Sequence, residues 1–287
     1  MASNLNFNPA VKRKGFGLAI PAMLWLGVFF LLPVMIVFVV SFMSRGRGGS
    51  PVLPFTFANY ERVIEVFRGV LLDSVWIAFL TTIICLLIGY PLAFWISTRK
   101  NQWVRQLALF AIILPFWTNF LVRTYALQTI LGREGTINTL LQSLGAIAEP
   151  LRLLNTNGAV LLGLVYGFLP FMVLPIYASV ERFEFRFVEA AHDLGANDLW
   201  AFIKVILPMT LPGIIAGFIL VFIPTIGAFV TPDLLGGTEG LMIGNLINTQ
   251  FKGQGNQPLG SALSMVMMAM VMIALLFYVY FGDRRRA

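Results

Sequence analysis

Long runs of apolar residues alternate with short polar segments along the whole chain. Each run is about 20 residues or longer, the length that an α-helix needs to cross about 30 Å of hydrocarbon. The pattern predicts an all-α membrane protein with six transmembrane helices, at residues 16–43, 70–98, 104–131, 157–181, 211–231 and 261–282. The expected domain organisation is a tail at 1–15, a membrane domain at 16–282 containing a polar loop at 182–210, and a basic tail at 283–287.

Composition supports this class. The chain is 58% hydrophobic and 11% charged, whereas a soluble domain has a charged share of about 25%. The mean hydropathy is +0.84. The net charge of +7 comes from scattered Lys and Arg rather than from a groove with interleaved aromatic residues. It is therefore interpreted as a topology signal that faces anionic lipid, with no nucleic-acid partner.

The distribution of basic residues predicts the orientation. An even number of spans places both termini on one side, and that side carries most of the Lys and Arg, including Lys12-Arg13-Lys14, Arg99-Lys100 and Arg284-Arg285-Arg286. Arg45 and Arg47 lie on the other side, against the bias. The positive-inside rule then places the termini and the 182–210 loop in the cytoplasm.

Several catalytic signatures are missing from the sequence. One histidine, His192, cannot form a multi-histidine metal site. The nearest approach to a phosphate-binding loop, Gly255 to Ala262, lacks the lysine that contacts phosphates. Cys85 lies within an apolar run and is expected to be a small core residue. We therefore expect no catalytic residue, bound metal or cofactor in this chain.

The 182–210 loop is a polar segment between two apolar runs, and its pattern predicts two short helices separated by a turn at Gly195. Glu189 suits the positive end of a helix dipole, and the small Ala190 and Ala191 permit close approach of another surface. Pro208 and Pro212 are expected to end the helix before the fifth span. The segment is interpreted as a docking surface for a soluble partner; a plain interfacial loop is the alternative.

Polar and aromatic residues inside spans are the candidates for a substrate pathway, because such residues are costly in lipid. The candidates are Trp117, Asn119, Tyr125, Thr225 and Asp233. Aromatic faces and a carboxylate suit an organic ammonium ion. Arg123 does not suit a cation; it is interpreted as paired with an acid such as Asp233 or as lying at the mouth of the path. Helix–helix adhesion or an interfacial aromatic belt is the alternative for the whole set.

The segment Glu189-Ala190-Ala191, with Asp193, Gly195, Val205 and Leu207-Pro208 after it, resembles the signature of permease subunits of bacterial ABC importers. Further stretches resemble the spermidine/putrescine branch of that family: Pro115-Phe116-Trp117-Thr118-Asn119, Arg123-Thr124-Tyr125, Asp233 to Gly237 and Leu241 to Asn245. The family often has an aromatic residue before Pro258-Leu259-Gly260-Ser261, where this chain has Asn256-Gln257. Because of that departure, a modified amine or an opine-like compound is kept as an alternative substrate.

The resemblance implies a type I importer permease fold in the cytoplasmic (inner) membrane and a non-catalytic translocation subunit that works by alternating access. It implies that Glu189, Ala190, Ala191, Asp193, Gly195, Leu207 and Pro208 couple the chain to an ATPase. The implied partners are a cytoplasmic ATPase dimer holding ATP and Mg²⁺, a second homologous permease, an extracytoplasmic solute-binding protein and membrane lipid.

Three rival functions stay open at this point. An ABC permease for another small solute, such as an oxyanion or ferric ion, is the main competitor; Arg123 would favour an anion, whereas Trp117, Tyr125 and Asp233 favour a cation. A secondary transporter or channel needs no ATPase and leaves the docking segment unexplained. A membrane-embedded enzyme lacks the necessary His, Asp and Ser chemistry in this sequence.

Overall fold

The structure is a computed structural model that describes residues 20–252 and 255–283. The tail at 1–15, the start of the first span and the basic residues Arg284-Arg285-Arg286 lie outside the described residues. Contacts divide the chain into two compact units, Val66–Asn248 and the pair of segments Met1–Glu65 and Thr249–Ala287.

The described chain is largely helical, which confirms the predicted class. The helices are α1 (Ile20–Ser41), α2 (Ala58–Glu65), α3 (Arg68–Ser97), α4 (Gln102–Trp117), α5 (Phe120–Leu131), α6 (Thr136–Ser143), α7 (Asn157–Glu181), α8 (Arg186–Asp193), α9 (Asp198–Ile226), α10 (Val230–Leu235), α11 (Ile243–Phe251) and α12 (Gln257–Asp283). Five described helices are long and apolar enough to cross a membrane, and the count reaches six if the bent pair formed by α4 and residues Phe120–Ser143 is one span.

The third span departs from the prediction of a continuous helix at 104–131. The chain bends by 92° between Trp117 and Phe120. A 3₁₀ turn at Leu114–Trp117 includes Pro115, and the next helix is capped by Asn119, whose Oδ1 accepts a hydrogen bond from the Leu121 N–H at 2.8 Å. Proline and a new N-cap together end one helix and begin another.

The fifth span also departs from the prediction. It was expected at 211–231 after a break at Pro208 and Pro212, but α9 runs without interruption from Asp198 to Ile226. A π-helical segment, Phe202–Ile206, precedes Pro208, and the Thr210 hydroxyl donates to the Ile206 carbonyl at 2.9 Å. Local π geometry and hydroxyl donors re-satisfy backbone groups around proline in membrane helices, so the helix continues.

Three long helices, α3, α7 and α9, form the core of the 66–248 unit. Their shared cluster includes Cys85, Met172, Ile176 and Val221, all without solvent exposure. Glycines allow α9 to approach α7 closely: a Cβ on Gly213 would lie 2.5 Å from the Ser179 Cβ. Small residues at such crossings are typical of membrane helix pairs. Cys85 is thus the core residue that was expected.

In the other unit, α1 and α2 both pack against α12. A short antiparallel ribbon that the sequence did not predict follows α1, with β1 at Met43–Arg45, a 3₁₀ turn at Arg47–Gly49 and β2 at Pro51–Phe55. The Asn59 amide ties the ribbon to α1 by donating to the carbonyls of Ser41 and Met43, each at 2.9 Å.

Candidate functional site

Residues 186–201, hereafter the docking turn, form two helices around a tight reversal. Helix α8 ends at Asp193, and Gly195 has φ 87°, a conformation that favours glycine. The Ala196 N–H donates to the Ala191 carbonyl at 3.0 Å. Asn197 caps the next helix by accepting from the Trp200 N–H at 2.9 Å. The predicted turn and the short helix before it are present, but the helix after the turn is not short, because it continues as α9 to Ile226.

A contact between a histidine and a carboxylate crosses the docking turn. The His192 Nε2 lies 3.3 Å from the Asp198 Oδ1, so that α8 and the start of α9 are linked across Gly195. Both side chains are substantially exposed, and water weakens such a contact. The glycine conformation and the asparagine cap therefore determine the shape of this turn more than this contact does.

The outer face of the docking turn is uncovered in the isolated chain. Glu189, Ala190, Asp193 and Gly195 are exposed, and Ala191 is half-buried. Apolar side chains lie on the same turn without cover: Leu194 is 89% exposed and Trp200 is 55% exposed. A polar rim around exposed apolar side chains is typical of a protein interaction site. Five of the predicted coupling residues are therefore gathered on one exposed turn.

Leu207 and Pro208 occupy a different position from the other predicted coupling residues. They belong to the continuous helix α9, where Leu207 packs against the cluster shared by α3, α7 and α9. Leu207 thus joins α9 to the core, whereas the five predicted coupling residues between Glu189 and Gly195 lie on the docking turn.

Aromatic rings connect the docking turn to the helical core, and the sequence reasoning did not identify them. The rings of Phe94 and Phe185 are 6.4 Å apart, and those of Phe183 and Phe185 are 5.3 Å apart. On the α9 side, Tyr90 packs edge-on against Phe202 with 5.7 Å between the rings. The close spacing of Phe183, Phe185 and Phe187 around the start of α8 is the signal in the sequence that could have identified them.

Polar contacts strengthen these connections. The hydroxyls of Tyr90 and Thr210 lie 3.0 Å apart in a buried environment. At the end of α7, Glu181 lies 3.2 Å from the Arg105 Nη1 and accepts a hydrogen bond from the Tyr177 hydroxyl at 2.8 Å. Residues next to the docking turn contact α3 and α4, and the turn itself continues into α9. A force on the docking turn would therefore reach several helices together.

A cleft opens beside the bend between α4 and α5. Its volume is about 510 Å³, and its lining residues are aromatic, small or polar: Phe116, Thr118, Asn119, Phe120, Arg123, Gly167, Phe168 and Phe171. The Thr118 hydroxyl donates to the Pro115 carbonyl at 2.7 Å, so both polar residues at the bend also hold its backbone. Aromatic walls with a few polar groups are typical of sites for small organic molecules.

Arg123 lies in the wall of this cleft under three aromatic rings. Its guanidinium carbon is 5.7 Å from the Phe116 ring centre and 5.6 Å from those of Phe120 and Tyr166. The Nε and Nη1 atoms are buried and make no hydrogen bond. Among the described residues, no carboxylate lies within 4.0 Å of Arg123, so the suggested pairing with Asp233 does not occur in this structure.

The predicted pathway residues fall into two groups. Asn119 lines the cleft, whereas Trp117 and Tyr125 do not line it and are 78% and 53% exposed. Asp233 is exposed on α10, a helix that contacts α5. Thr225 differs: it is fully buried, and its hydroxyl donates to the Val221 carbonyl of its own helix at 2.6 Å. Thr225 therefore packs inside the protein and does not face the cleft.

Comparisons with known proteins agree with this architecture. Residues 89–287 match the family described as the binding-protein-dependent transport system inner membrane component. The chain is 45% identical to the spermidine/putrescine transport system permease protein PotB of Haemophilus influenzae over 258 residues, covering 90% of this chain and 89% of that protein. Identity to PotB of Escherichia coli K12 is 42% over 255 residues, covering 88% and 92%.

A solved structure shares the fold. One chain of a bacterial ABC transporter involved in the import of the acidic polysaccharide alginate superposes with a TM-score of 0.75 at 15% identity, covering 96% of this chain and 98% of that chain. The predicted importer-permease architecture is thus present.

Proposed function

The chain belongs to the family of inner-membrane components of binding-protein-dependent transport systems, and we propose that it is the translocating permease subunit of an ATP-driven importer for polyamine-like organic cations. In this proposal it performs no catalysis, and it moves substrate by alternating access while a separate ATPase dimer binds ATP and Mg²⁺.

The docking turn is the observation that carries the coupling role. It exposes Leu194 and Trp200, and aromatic contacts of Phe185 and Phe202 connect it to the helical core. Closing of an ATPase dimer against this turn would move α3, α7 and α9 as a largely rigid group, since their glycine contacts leave little room for sliding. The turn and both termini are proposed to face the cytoplasm, following the bias of Lys and Arg.

The substrate class rests on the named relatives and on the chemistry near the bend. PotB of Haemophilus influenzae is described as a spermidine/putrescine permease. Trp117 and Tyr125 offer exposed aromatic faces, and Asp233 offers an exposed carboxylate. These groups attract ammonium ions by cation–π and ionic interactions. A second homologous permease would close the path, and a solute-binding protein would deliver the substrate.

An ABC permease for another small solute is the alternative that a specific observation favours. Arg123 places a fixed positive charge in the wall of the cleft, which would attract an oxyanion or an opine-like carboxylate rather than a polyamine. Ferric ion has no comparable support, because no group of three or more His, Cys, Asp or Glu residues is suitably placed among the described residues.

Uptake by whole cells tests the proposal. The complete importer is expressed in bacteria that lack their own polyamine importers, with this chain present or deleted, and uptake of labelled putrescine and spermidine is measured. We expect uptake only with this chain present, with competition by unlabelled polyamines and none by an opine or an oxyanion. Uptake that is competed only by anions would refute the cationic substrate.

A further inference from the structure

The cleft beside the α4–α5 bend contains a positive charge whose hydrogen bonds are incomplete. Arg123 contributes to the wall, and its Nε and Nη1 atoms are buried within this chain without an acceptor, so only the remaining nitrogen, Nη2, is left for an acceptor from outside the chain. Buried polar groups in native proteins nearly always have a partner, and an unpaired charge is the most costly exception. The Arg123 site is therefore incomplete in the isolated chain.

The aromatic rings around Arg123 do not complete the site. Phe116, Phe120 and Tyr166 attract the positive charge through their faces at 5.6 to 5.7 Å. A ring face offers no lone pair comparable with that of a carboxylate oxygen, so the N–H groups stay without acceptors. A carboxylate that reached Nη2 from the cleft would neutralise the guanidinium and accept a charge-assisted hydrogen bond from it.

We propose that Arg123 is one half of an ion pair between chains, in which a carboxylate from the second permease subunit enters the cleft and binds the guanidinium. This inference rests on the proposed function for the existence of that second subunit. It adds a specific contact that determines how the two permease chains recognise each other.

The described residues of this chain do not provide the carboxylate. Glu181 pairs with Arg105, and Glu239 pairs with Arg152 at 3.0 Å. Asp233 takes part in no ion pair among the described residues. A polyamine cannot provide the carboxylate either, because it carries only positive groups.

The surroundings of the cleft indicate that protein or water, rather than lipid, adjoins it. The backbone is broken at Thr118 and Asn119, and both polar side chains are exposed. Irregular backbone at membrane depth is tolerated only where protein covers it or a water-filled cavity adjoins it. Trp117 at the bend is 78% exposed, and it follows Phe116, whose ring faces the Arg123 guanidinium, so an apolar anchor and an unpaired positive charge both lie at the bend. A partner helix with an acidic residue among apolar ones would match both.

Charge reversal tests the ion pair in the assembled importer. Arg123→Glu is expected to lower co-purification of the second permease at least tenfold. In the second permease, each intramembrane Asp or Glu is changed singly to Arg. One of these changes should restore assembly with Arg123→Glu while weakening assembly with the unchanged chain. Arg123→Met, which keeps the apolar stem, should weaken assembly without adding a negative charge.

Arg105 provides a matched control, because its partner Glu181 lies in the same chain. Glu181→Arg should compensate for Arg105→Glu, and no change in the second permease should do so. A cysteine pair gives a separate measurement: with Cys85→Ala, Arg123→Cys should form a disulfide with a cysteine that replaces the compensating acid.

Three results would overturn the inference. The first is normal assembly of both Arg123→Glu and Arg123→Met. The second is compensation of Arg123→Glu by Asp233→Arg in this chain alone. The third is normal assembly with a loss confined to uptake of carboxylate-bearing substrates, which would assign the guanidinium to a ligand. Assembly is measured without substrate, so failure of the unchanged complex to import polyamines would refute the proposed substrate and leave the ion pair standing.

Discussion

At the scale of single residues, the structure separates side chains that the sequence places together. Trp117 is largely exposed beside the cleft, whereas Thr225 is fully buried and bonded to the Val221 carbonyl. Both residues are polar or aromatic and lie inside apolar runs. An argument from the sequence uses only the free-energy cost of placing such residues in lipid, so it selects both equally. Only the direction of each side chain distinguishes a pathway candidate from a packing residue.

Trp117→Ala is expected to slow substrate uptake at least tenfold. A cation–π contact in a desolvated setting contributes up to about 2 kcal/mol, and alanine offers no aromatic face. The matched control is Trp103→Ala, because Trp103 is 75% exposed but lies near the start of the same helix, away from the bend. Initial rates of uptake, corrected for the amount of protein in the membrane, provide the measurement. Equal rates for the two variants would remove Trp117 from the pathway.

Thr225→Val is expected to leave the KM for uptake unchanged within about twofold. Valine has nearly the shape of threonine, and the lost hydroxyl bond is to a carbonyl of the same helix. Even hydrogen bonds between membrane helices contribute on average only about 0.6 kcal/mol. Concentration-dependent uptake measures the KM. An increase of tenfold or more would show that Thr225 reaches the substrate in another state of the transport cycle.

At the scale of elements, the sequence predicts long spans well and interruptions poorly. The apolar runs give α3 and α7 nearly to the residue, since only length and composition are involved. The 92° bend at Thr118 was missed because Pro115 and the capping Asn119 lie inside an apolar run. Conversely, Pro208 suggested a break that the preceding π-helical segment prevents. Proline alone does not determine whether a membrane helix bends or continues. The hydrogen-bond donors next to the proline determine it.

Gly195→Val is expected to weaken association with the ATPase and to abolish uptake while the protein still inserts in the membrane. Gly195 has φ 87°, where a β-branched residue costs about 1 to 3 kcal/mol. Gly145→Val is the control, because Gly145 has φ 69° and, like Gly195, has no neighbouring atom within 4 Å of an added Cβ. Co-purification of the ATPase is the measurement. A similar loss with both variants would indicate general strain instead of a docking defect.

At the scale of the whole molecule, the family and the fold could be predicted, but the arrangement of the site could not. The Glu189 to Gly195 motif and the composition indicate a permease, because they depend on local sequence and total hydrophobicity. The aromatic rings around Arg123 come from both α7 and the α4–α5 region. Their convergence depends on helix packing, which no local pattern in the sequence describes.

The orientation of the chain in the membrane is also a prediction at the scale of the whole molecule. A reporter that is active only in the cytoplasm should work when fused after Arg99, near Gly195 or at Ala287. It should be inactive when fused near Arg62 or Glu149, because the distribution of Lys and Arg places those loops outside. Reporter activity normalised to fusion-protein level is the measurement. The opposite pattern would move the docking turn away from ATP and so contradict its proposed role.

ATP-driven uptake into proteoliposomes tests the central claim most directly. This chain, the second permease and the ATPase are reconstituted together, with solute-binding protein outside and ATP or a non-hydrolysable analogue inside. The account predicts that labelled spermidine or putrescine accumulates only with hydrolysable ATP, and that Gly195→Val abolishes the accumulation. Accumulation that is independent of ATP, or no accumulation of any polyamine by a complex that hydrolyses ATP, would contradict it.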